Sequence, residues 1–129
     1  MSKWGYEYNS IHFDNSYELA YYIWLTDNER SFIYHPQASF EYVDENGVSH
    51  EYFPDFLVEG KFYEICCSQL FNESGEPYNH YLKSFWWEKY NKMKEQDIII
   101  LREADVKPAL EYCKKKYGKR YFKSFKLTS

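Results

Sequence analysis

The sequence has little of what marks membrane-spanning or disulfide-bonded proteins. No uninterrupted apolar run approaches the roughly 18 residues that a membrane span requires. Residues 1–5 lack the apolar core of a signal peptide. The three cysteines, Cys66, Cys67 and Cys113, are too few and of the wrong parity for a disulfide framework. These absences predict a cytoplasmic protein with no membrane partner and with reduced thiols.

Several common catalytic and metal-binding motifs are also missing. The sequence has no glycine-rich phosphate loop and no Ser-His-Asp order that suggests a hydrolase triad. Cys66 and Cys67 are adjacent, so in a strand they point to opposite faces. The four histidines show none of the usual spacings of zinc ligands. Structural zinc is therefore not expected, and neither is a loop that cradles a nucleotide.

Aromatic residues are abundant instead. They make up 22% of the 129 residues, with 15 Tyr and 10 Phe, which is ample material for a core and too much for a disordered chain. A chain of this length buries enough surface to fold by itself. We therefore expect one domain that spans residues 1–129.

The net charge of −4 conceals an uneven distribution along the chain. Residues 1–106 carry 8 Lys and Arg against 19 Asp and Glu, a net charge of −11, and residues 107–129 carry 8 against one Glu, a net charge of +7. A basic end of this kind is suited to bind phosphates. The equally weighted alternative is a lysine-coated terminal helix and tail that dock on an acidic surface of the same protein.

Periodicity and turn signals predict a mixed sheet with helices packed against it, in the order α-β-β-β-α-β-α. Asn15 followed by Glu18 resembles a capping box at the start of the first helix. Asn46-Gly47 is a strong hairpin signal. The expected elements are helices at 15–26, 79–95 and 106–117, hairpin strands at 39–43 and 48–53, and a strand at 61–67. Further strands are expected at 31–35, at 97–101 and, as an edge, at 120–127.

Three of these elements carry more detailed expectations. The second hairpin strand should run on through Pro54 to residue 58, with a bulge or bend at Pro54 because proline cannot donate a ladder hydrogen bond. The continuous apolar run at 97–101 suits a central, parallel strand. Pro108 is tolerated in the first turn of the last helix, and Gly118 is expected to cap its end.

The segment from Tyr52 to Cys66 is the most informative part of the sequence. It reads as two strands joined by the two-residue turn Glu59-Gly60, in which glycine supplies a positive φ. Counting outward from the turn pairs Val58 with Lys61, Leu57 with Phe62, Phe56 with Tyr63, and Asp55 with Glu64. Carboxylates that face each other across two strands repel, and a divalent cation between them would remove that repulsion.

The order of these motifs resembles the PD-(D/E)XK nuclease superfamily, which has the restriction-endonuclease-like fold. More narrowly, it is similar to small nucleases of phages and mobile elements. The residues that carry the resemblance are Ser16-Tyr17-Glu18 on the first helix, then Tyr52-Phe53-Pro54-Asp55-Phe56 and Phe62-Tyr63-Glu64-Ile65-Cys66 on adjacent strands. It covers residues 12 to about 101 in order and spacing.

The resemblance implies a metal-dependent endonuclease that hydrolyses the phosphodiester bonds of DNA. Asp55 and Glu64 would bind one or two Mg²⁺ or Mn²⁺ ions together with the backbone carbonyl of Ile65. Glu18 would reach the metal directly or through water. The metal would lower the pKa of a bound water and neutralise charge on the phosphate. The implied partner is nucleic acid, with a homodimer or a subunit of a mobile-element complex as further possibilities.

The departure from the family pattern is Cys66, which stands where the family has a lysine. Phe62, Glu64 and Cys66 share a strand face, so Cys66 should point toward the site. A thiol near its reference pKa of about 8.5 is mostly neutral at pH 7 and cannot replace an ammonium group. Lys83 or Lys89 on the second helix are candidates for a migrated lysine. Gln69, just beyond the strand, is a candidate for orienting water or phosphate.

Two other functions stay open. The chemistry could be lost, which would leave a nuclease fold that acts as a nucleic-acid- or protein-binding module. A third class of protein would bind a host factor through its aromatic surface. Each carboxylate also has an ordinary structural explanation: Asp55 as a turn residue after Pro54, Glu64 as a solvated strand residue, and Glu18 as a partner of the helix dipole.

Overall fold

A computed structural model describes residues 4–66, 71, 73–74 and 85–127, with the side chains of all of these except residues 85 and 86. The protein is mixed α/β, and the described residues form three α-helices and several sheets, one of them mixed. The elements are β1 (Tyr6–Tyr8), β2 (Ile11–Phe13), α1 (Ser16–Asp27), β3 (Phe32–Tyr34), β4 (Phe40–Val43), β5 (Ser49–Tyr52), β6 (Phe56–Val58), β7 (Lys61–Ile65), α2 (Phe85–Glu95), β8 (Ile99–Leu101), α3 (Glu103–Tyr117) and a 3₁₀-helix (Tyr121–Phe125).

This order is longer than the one predicted from the sequence. Two strands precede α1, and five strands lie between α1 and α2, where the predicted order has three and the further strand expected at 31–35 makes a fourth. The chain forms two compact units: unit 1 contains residues 1–31 and 104–129, and unit 2 contains residues 32–103. Among the described residues, no helix is both long enough and apolar enough to cross a membrane.

In unit 1, the first turn of α1 confirms the predicted capping signal. The side chain of Asn15 accepts a hydrogen bond from the backbone N–H of Glu18 at 2.8 Å. The amide of Asn15 in turn donates to the Glu18 carboxylate at 2.7 Å. The helix buries Leu19 and Ile23 completely, as their spacing predicts.

The last helix of unit 1 begins earlier than predicted. Because α3 starts at Glu103, Pro108 lies inside the helix and not in its first turn. The C-terminus is as expected: Gly118 has a φ of +101° and donates its N–H to the carbonyl of Lys114 at 2.8 Å.

The predicted edge strand at 120–127 is wrong. This segment forms the 3₁₀-helix at Tyr121–Phe125, followed by an isolated antiparallel bridge between Tyr6 and Lys126. The physical reason is the spacing of the aromatic residues, because Tyr121, Phe122 and Phe125 follow a helical i, i+1, i+4 pattern and not a strand alternation.

In unit 2, four strands form a mixed sheet in the order β3-β6-β7-β8. The β3–β6 and β6–β7 pairs are antiparallel, and β7–β8 is parallel. The parallel pairing of β8 confirms the prediction, but the predicted central position is wrong, because β8 lies at one end of the described sheet. Strands β4 and β5 form a separate antiparallel hairpin, and α2 joins β7 to β8 along the chain.

The core of unit 2 lies between α2, the β4–β5 hairpin and the end of β7. Its five buried members come from five different parts of the chain and include one residue from α2, Met93, which is fully buried. The cluster consists of Tyr52, Cys66, Phe71, Met93 and Ile98, with Phe40, Tyr42, Phe62, Tyr90 and Ile100 packed against it. This cluster surrounds one face of β7 and so determines the environment of the side chains on that face.

Candidate functional site

The β6–β7 hairpin has the register that the sequence predicts. Val58 pairs with Lys61, and the two following pairs are Leu57–Phe62 and Phe56–Tyr63. Both turn residues have positive φ angles, +51° at Glu59 and +82° at Gly60, as a type I′ turn requires. The turn therefore fixes which residues of the two strands come together at the far end of the hairpin.

Beyond Phe56 the pairing changes at Asp55. The backbone N–H of Asp55 donates to the carbonyl of Tyr63 at 3.1 Å, and Tyr63 is also the ladder partner of Phe56. Two successive residues on one strand thus face one residue on the other, which is the pattern of a β-bulge. Asp55 is therefore not a ladder partner of Glu64; its Oδ2 accepts a hydrogen bond from the backbone N–H of Ile65 at 2.9 Å.

The chain bends next to this bulge. β5 ends at Tyr52 and belongs to the β4–β5 hairpin, whereas β6 begins at Phe56 in the four-stranded sheet. The prediction of one continuous strand through Pro54 was wrong, and the predicted bend at Pro54 is present. The fully buried Pro54 has no N–H to continue a ladder, which explains why the strand is interrupted there.

An open cleft of about 470 Å³ lies beside the bulge. It is lined by His35, Pro36, Gln37 and Phe53. The backbone N–H of His35 donates to the carbonyl of Asp55 at 2.8 Å, which ties the cleft to the site. The ring of Phe53 is 54% exposed there, so this side of the bulge presents an aromatic surface to solvent.

Glu64 is the buried carboxylate of the site, with 9% of its surface exposed. Its Oε1 accepts a hydrogen bond from the hydroxyl of Tyr52 at 2.8 Å. Burial, followed by the negative charge of Glu64, raises the pKa of the Tyr52 hydroxyl far above its ordinary value. The negative charge of Asp55 acts on the pKa of the same hydroxyl in the same direction. Tyr52 thus keeps its proton and acts as a donor to Glu64.

Lys89 on α2 lies next to the same tyrosine. Its Nζ is 5.3 Å from the centre of the Tyr52 ring, within the range of a cation–π contact. The structure therefore brings Lys89 and Glu64 to the same tyrosine, Lys89 at its ring and Glu64 at its hydroxyl. Lys89 is one of the two positions that the sequence offers as a migrated lysine.

Cys66 directly follows β7 and is almost completely buried, with 3% of its surface exposed. Its backbone N–H donates to the carbonyl of Leu101 at 2.8 Å, which extends the parallel pairing with β8. The thiol is not in a disulfide and packs in the apolar cluster of unit 2. An apolar environment is the opposite of the electropositive one that makes a cysteine reactive.

The other predicted site residues lie in unit 1 or outside the described part of the chain. Glu18 lies on α1 in unit 1, where it is 9% exposed and bound to the capping side chain of Asn15. This arrangement stabilises the helix start without any metal, and a ligand role for Glu18 stays a prediction. Gln69 and Lys83 lie outside the described residues.

Sequence reasoning missed Tyr52 as a member of the site. The signal was present, because Tyr52 opens the Tyr-Phe-Pro-Asp-Phe segment that carries the resemblance. A tyrosine at the end of a strand is usually a core residue, and nothing in the spacing indicates which group its hydroxyl meets. The contact with Glu64 joins residues 12 positions apart and depends on the bend at Pro54.

Comparison with known proteins does not assign the chain to a family. Set against protein-family models, curated proteins and solved structures, the chain has no match in any of the three.

Proposed function

We propose that the protein is a metal-dependent endonuclease that hydrolyses phosphodiester bonds, with DNA as the substrate. The observation that carries the proposal is that Glu64 and Lys89 contact the same side chain, Tyr52, while Asp55 is hydrogen-bonded to the strand residue next to Glu64. Asp55 contacts the backbone of β7 one residue after Glu64, Glu64 accepts from Tyr52, and Lys89 lies over the same ring. Two carboxylates to hold a metal and an ammonium group to offset charge on the phosphate suit phosphodiester hydrolysis.

The donor set suits Mg²⁺ or Mn²⁺. Both ions prefer oxygen ligands, and Asp55 and Glu64 supply two carboxylates from neighbouring strands. A carboxylate has about four lone-pair positions, so accepting a hydrogen bond, as Asp55 does from Ile65 and Glu64 does from Tyr52, does not prevent it from binding a metal. When bound, the ion would activate a water molecule and neutralise charge on the phosphate.

The chain's own residues would prepare the site in three ways. The hydrogen bond from Ile65 holds the Asp55 carboxylate against β7. Tyr52, which stays protonated, holds Glu64 in one orientation. Lys89 would supply the positive charge that the position of Cys66 lacks, and so stabilise charge that develops on the phosphate. Glu18 is proposed as a further metal ligand, on the resemblance of its motif.

The restriction-endonuclease-like fold is part of the same proposal. In support of it, the Asp and Glu positions lie at the end of an antiparallel hairpin whose second strand pairs in parallel with β8 after a crossover through α2. The two additional strands before α1 would then be an elaboration of that fold. A single functional domain, and a homodimer or mobile-element complex as the assembly, stay predictions.

One observation favours the second candidate function, a catalytically inactive binding module on the same scaffold. Cys66 packs against Met93 and Ile98, so this position has become part of an apolar core. A lysine here would bury its charge among apolar side chains at a high cost. If Lys89 does not replace the missing lysine, the scaffold has lost its catalytic cation.

Cleavage of supercoiled plasmid in Mg²⁺ or Mn²⁺ tests the proposal, with Asp55→Asn as the central variant. Asparagine keeps an oxygen that can accept from Ile65 but removes the charge, so the fold should persist while cleavage and Mn²⁺ binding are lost. The matched control is Asp14→Asn, an exposed residue in unit 1. Cleavage by Asp55→Asn at the rate of the unaltered protein would refute the mechanism. Nucleic-acid binding without cleavage by the unaltered protein would favour the binding module.

A further inference from the structure

The C-terminal segment of unit 1 concentrates positive charge on a folded surface. We define the basic segment as residues 114–126, which contain seven Lys and Arg and no Asp or Glu. All seven of these side chains are exposed. They are Lys114, Lys115, Lys116, Lys119, Arg120, Lys123 and Lys126.

Most of these charges have no acidic partner in the described part of the chain. Lys116 pairs with Asp27 at 2.6 Å, and Lys114 lies 4.0 Å from Glu111. The other five make no ion pair with a described acidic residue: Lys115, Lys119, Arg120, Lys123 and Lys126. The sequence left open whether this end of the chain docks on acidic groups or meets phosphates, and five exposed, unpaired cations favour phosphates.

The aromatic residues between the lysines anchor the segment. Tyr121 is 3% exposed, and its hydroxyl donates to the carbonyl of Ser16 at 2.9 Å. The ring of Phe125 packs edge-on against Tyr8 and Tyr117, with centroids 5.3 and 5.0 Å apart. The backbone of the segment is held at its end as well, since Leu127 donates to Gly5 at 3.0 Å. The lysines and the arginine therefore lie between packed aromatic residues, on a backbone that is held against the rest of unit 1.

The same burial argues against a membrane as the partner. An amphipathic helix that binds lipid presents an apolar face, but Val106, Ala109 and Cys113 on α3 are buried inside unit 1. In the described part of unit 1, the one large apolar side chain that is exposed is Trp4. A single ring offers little to a bilayer, whereas unpaired bases stack on exposed rings of this kind.

We propose that the basic segment is a nucleic-acid-binding surface that contacts the phosphate backbone. Its charge is complementary to a polyphosphate and opposite to the charge of the rest of the chain, which carries −11 over residues 1–106. The surface lies in unit 1, apart in sequence from the carboxylate site of unit 2, and it requires no metal. The proposal therefore stands whether or not the protein cleaves DNA.

Binding of a fluorescein-labelled oligonucleotide, measured by fluorescence anisotropy in EDTA at several salt concentrations, tests this surface. The variant Lys115→Gln/Lys119→Gln/Lys123→Gln should bind at 50 mM salt at least about tenfold more weakly, and its slope of log K against log salt should be shallower by about 2–3. The matched control is Lys61→Gln/Lys94→Gln/Lys107→Gln, which removes the same charge from exposed positions outside the segment. This control variant should change the affinity at 50 mM salt and the salt slope much less.

Two results would overturn the proposal. Equal weakening by the two triple variants would mean that net charge, and not this surface, governs binding. Retention of the unaltered protein on phosphatidylserine vesicles without binding to the oligonucleotide would identify a membrane surface instead. Repeating the titration with Asp55→Asn separates the two proposals, because unchanged binding in a variant that cannot cleave supports the surface independently of the catalytic site.

Discussion

The hydroxyl of Tyr52 donates a hydrogen bond to Oε1 of Glu64 at 2.8 Å, and this contact joins the core of unit 2 to its candidate site. The ring of Tyr52 belongs to the apolar cluster and its hydroxyl meets a buried carboxylate. One side chain therefore both packs the core and orients a proposed metal ligand.

Removing this hydroxyl should affect both stability and metal binding. In Tyr52→Phe the buried carboxylate of Glu64 loses the hydrogen bond from the Tyr52 hydroxyl, which we expect to lower the free energy of unfolding by about 1–3 kcal/mol. Mn²⁺ binding, measured by calorimetry, should weaken as Glu64 loses its fixed orientation. Tyr121→Phe is the matched control, because it removes a buried tyrosine hydroxyl in unit 1. That variant should lose stability without losing metal affinity; an equal loss of affinity in both would argue against the orienting role.

Lys89 is the proposed replacement for the missing lysine, so its loss should slow cleavage. We expect Lys89→Gln to cut the rate by about 10²-fold, the usual effect of removing one group that stabilises transition-state charge. Lys94→Gln is a close control, since Lys94 is on the same helix and its Nζ lies 5.5 Å from the centre of the Tyr90 ring. Normal rates for Lys89→Gln and for Lys83→Gln would remove the idea of a migrated lysine.

The thiol of Cys66 should have no part in the chemistry. Cys66→Ala removes one buried sulfur atom from the apolar cluster, which we expect to cost about 1 kcal/mol of stability. Cleavage should change less than about threefold, because no reacting group is lost. Urea denaturation measures the loss of stability, and the plasmid assay measures the rate of cleavage. A large loss of activity in a folded Cys66→Ala protein would show that the thiol itself participates.

The β6–β7 turn depends on positive φ angles, so its residues should be sensitive to backbone strain. No atom of the described residues lies within 4 Å of the place where a Cβ on Gly60 would sit, so Gly60→Ala tests backbone conformation without a clash among them. We expect it to lower the free energy of unfolding by about 1–2 kcal/mol, and Gly60→Asn to cost less because asparagine tolerates this region better. Urea denaturation gives the free energy of unfolding of both variants. Equal losses of stability in Gly60→Ala and Gly60→Asn would contradict the prediction.

Asp27 makes the stability of unit 1 dependent on pH. Burial pushes the pKa of this carboxyl upward, but hydrogen bonds from Lys116 and Tyr112 outweigh burial and lower the pKa below its usual value. Because the folded-state pKa is lowered, the stabilisation is complete above the unfolded pKa of about 3.9 and is lost as the pH falls through the folded value. Asp27→Asn should therefore be less stable than the unaltered protein at pH 7, and the difference should shrink below about pH 4.

The measurement is urea denaturation at a series of pH values. Lys116→Gln should reproduce much of the effect of Asp27→Asn, since it removes one of the two donors. Lys115→Gln is the control, because Lys115 makes no ion pair with a described acidic residue. If the difference in the free energy of unfolding between Asp27→Asn and the unaltered protein persists unchanged at pH 2–3, titration of the Asp27 carboxyl is not the cause.

The sequence by itself determined the features that depend on neighbouring residues. Glu59-Gly60 predicts a two-residue turn, and counting outward from that turn gives the register of β6 against β7. Asn15 predicts the start of α1 and Gly118 the end of α3, because capping depends on a few residues next to the helix terminus. The apolar run before Leu101 likewise predicted a strand parallel to its neighbour.

Only the tertiary structure decided which distant groups meet. The sequence offered Lys83 or Lys89 as the migrated lysine; the packing of α2 places Lys89 over Tyr52, and Lys83 lies outside the described residues. The bend at Pro54 moved β5 into a different sheet and so aimed the Tyr52 hydroxyl at Glu64, while the bulge turned Asp55 from Glu64 to the backbone of Ile65. Turn chemistry and periodicity act over a few residues, whereas these contacts depend on how whole elements bury their apolar faces, which no local pattern specifies.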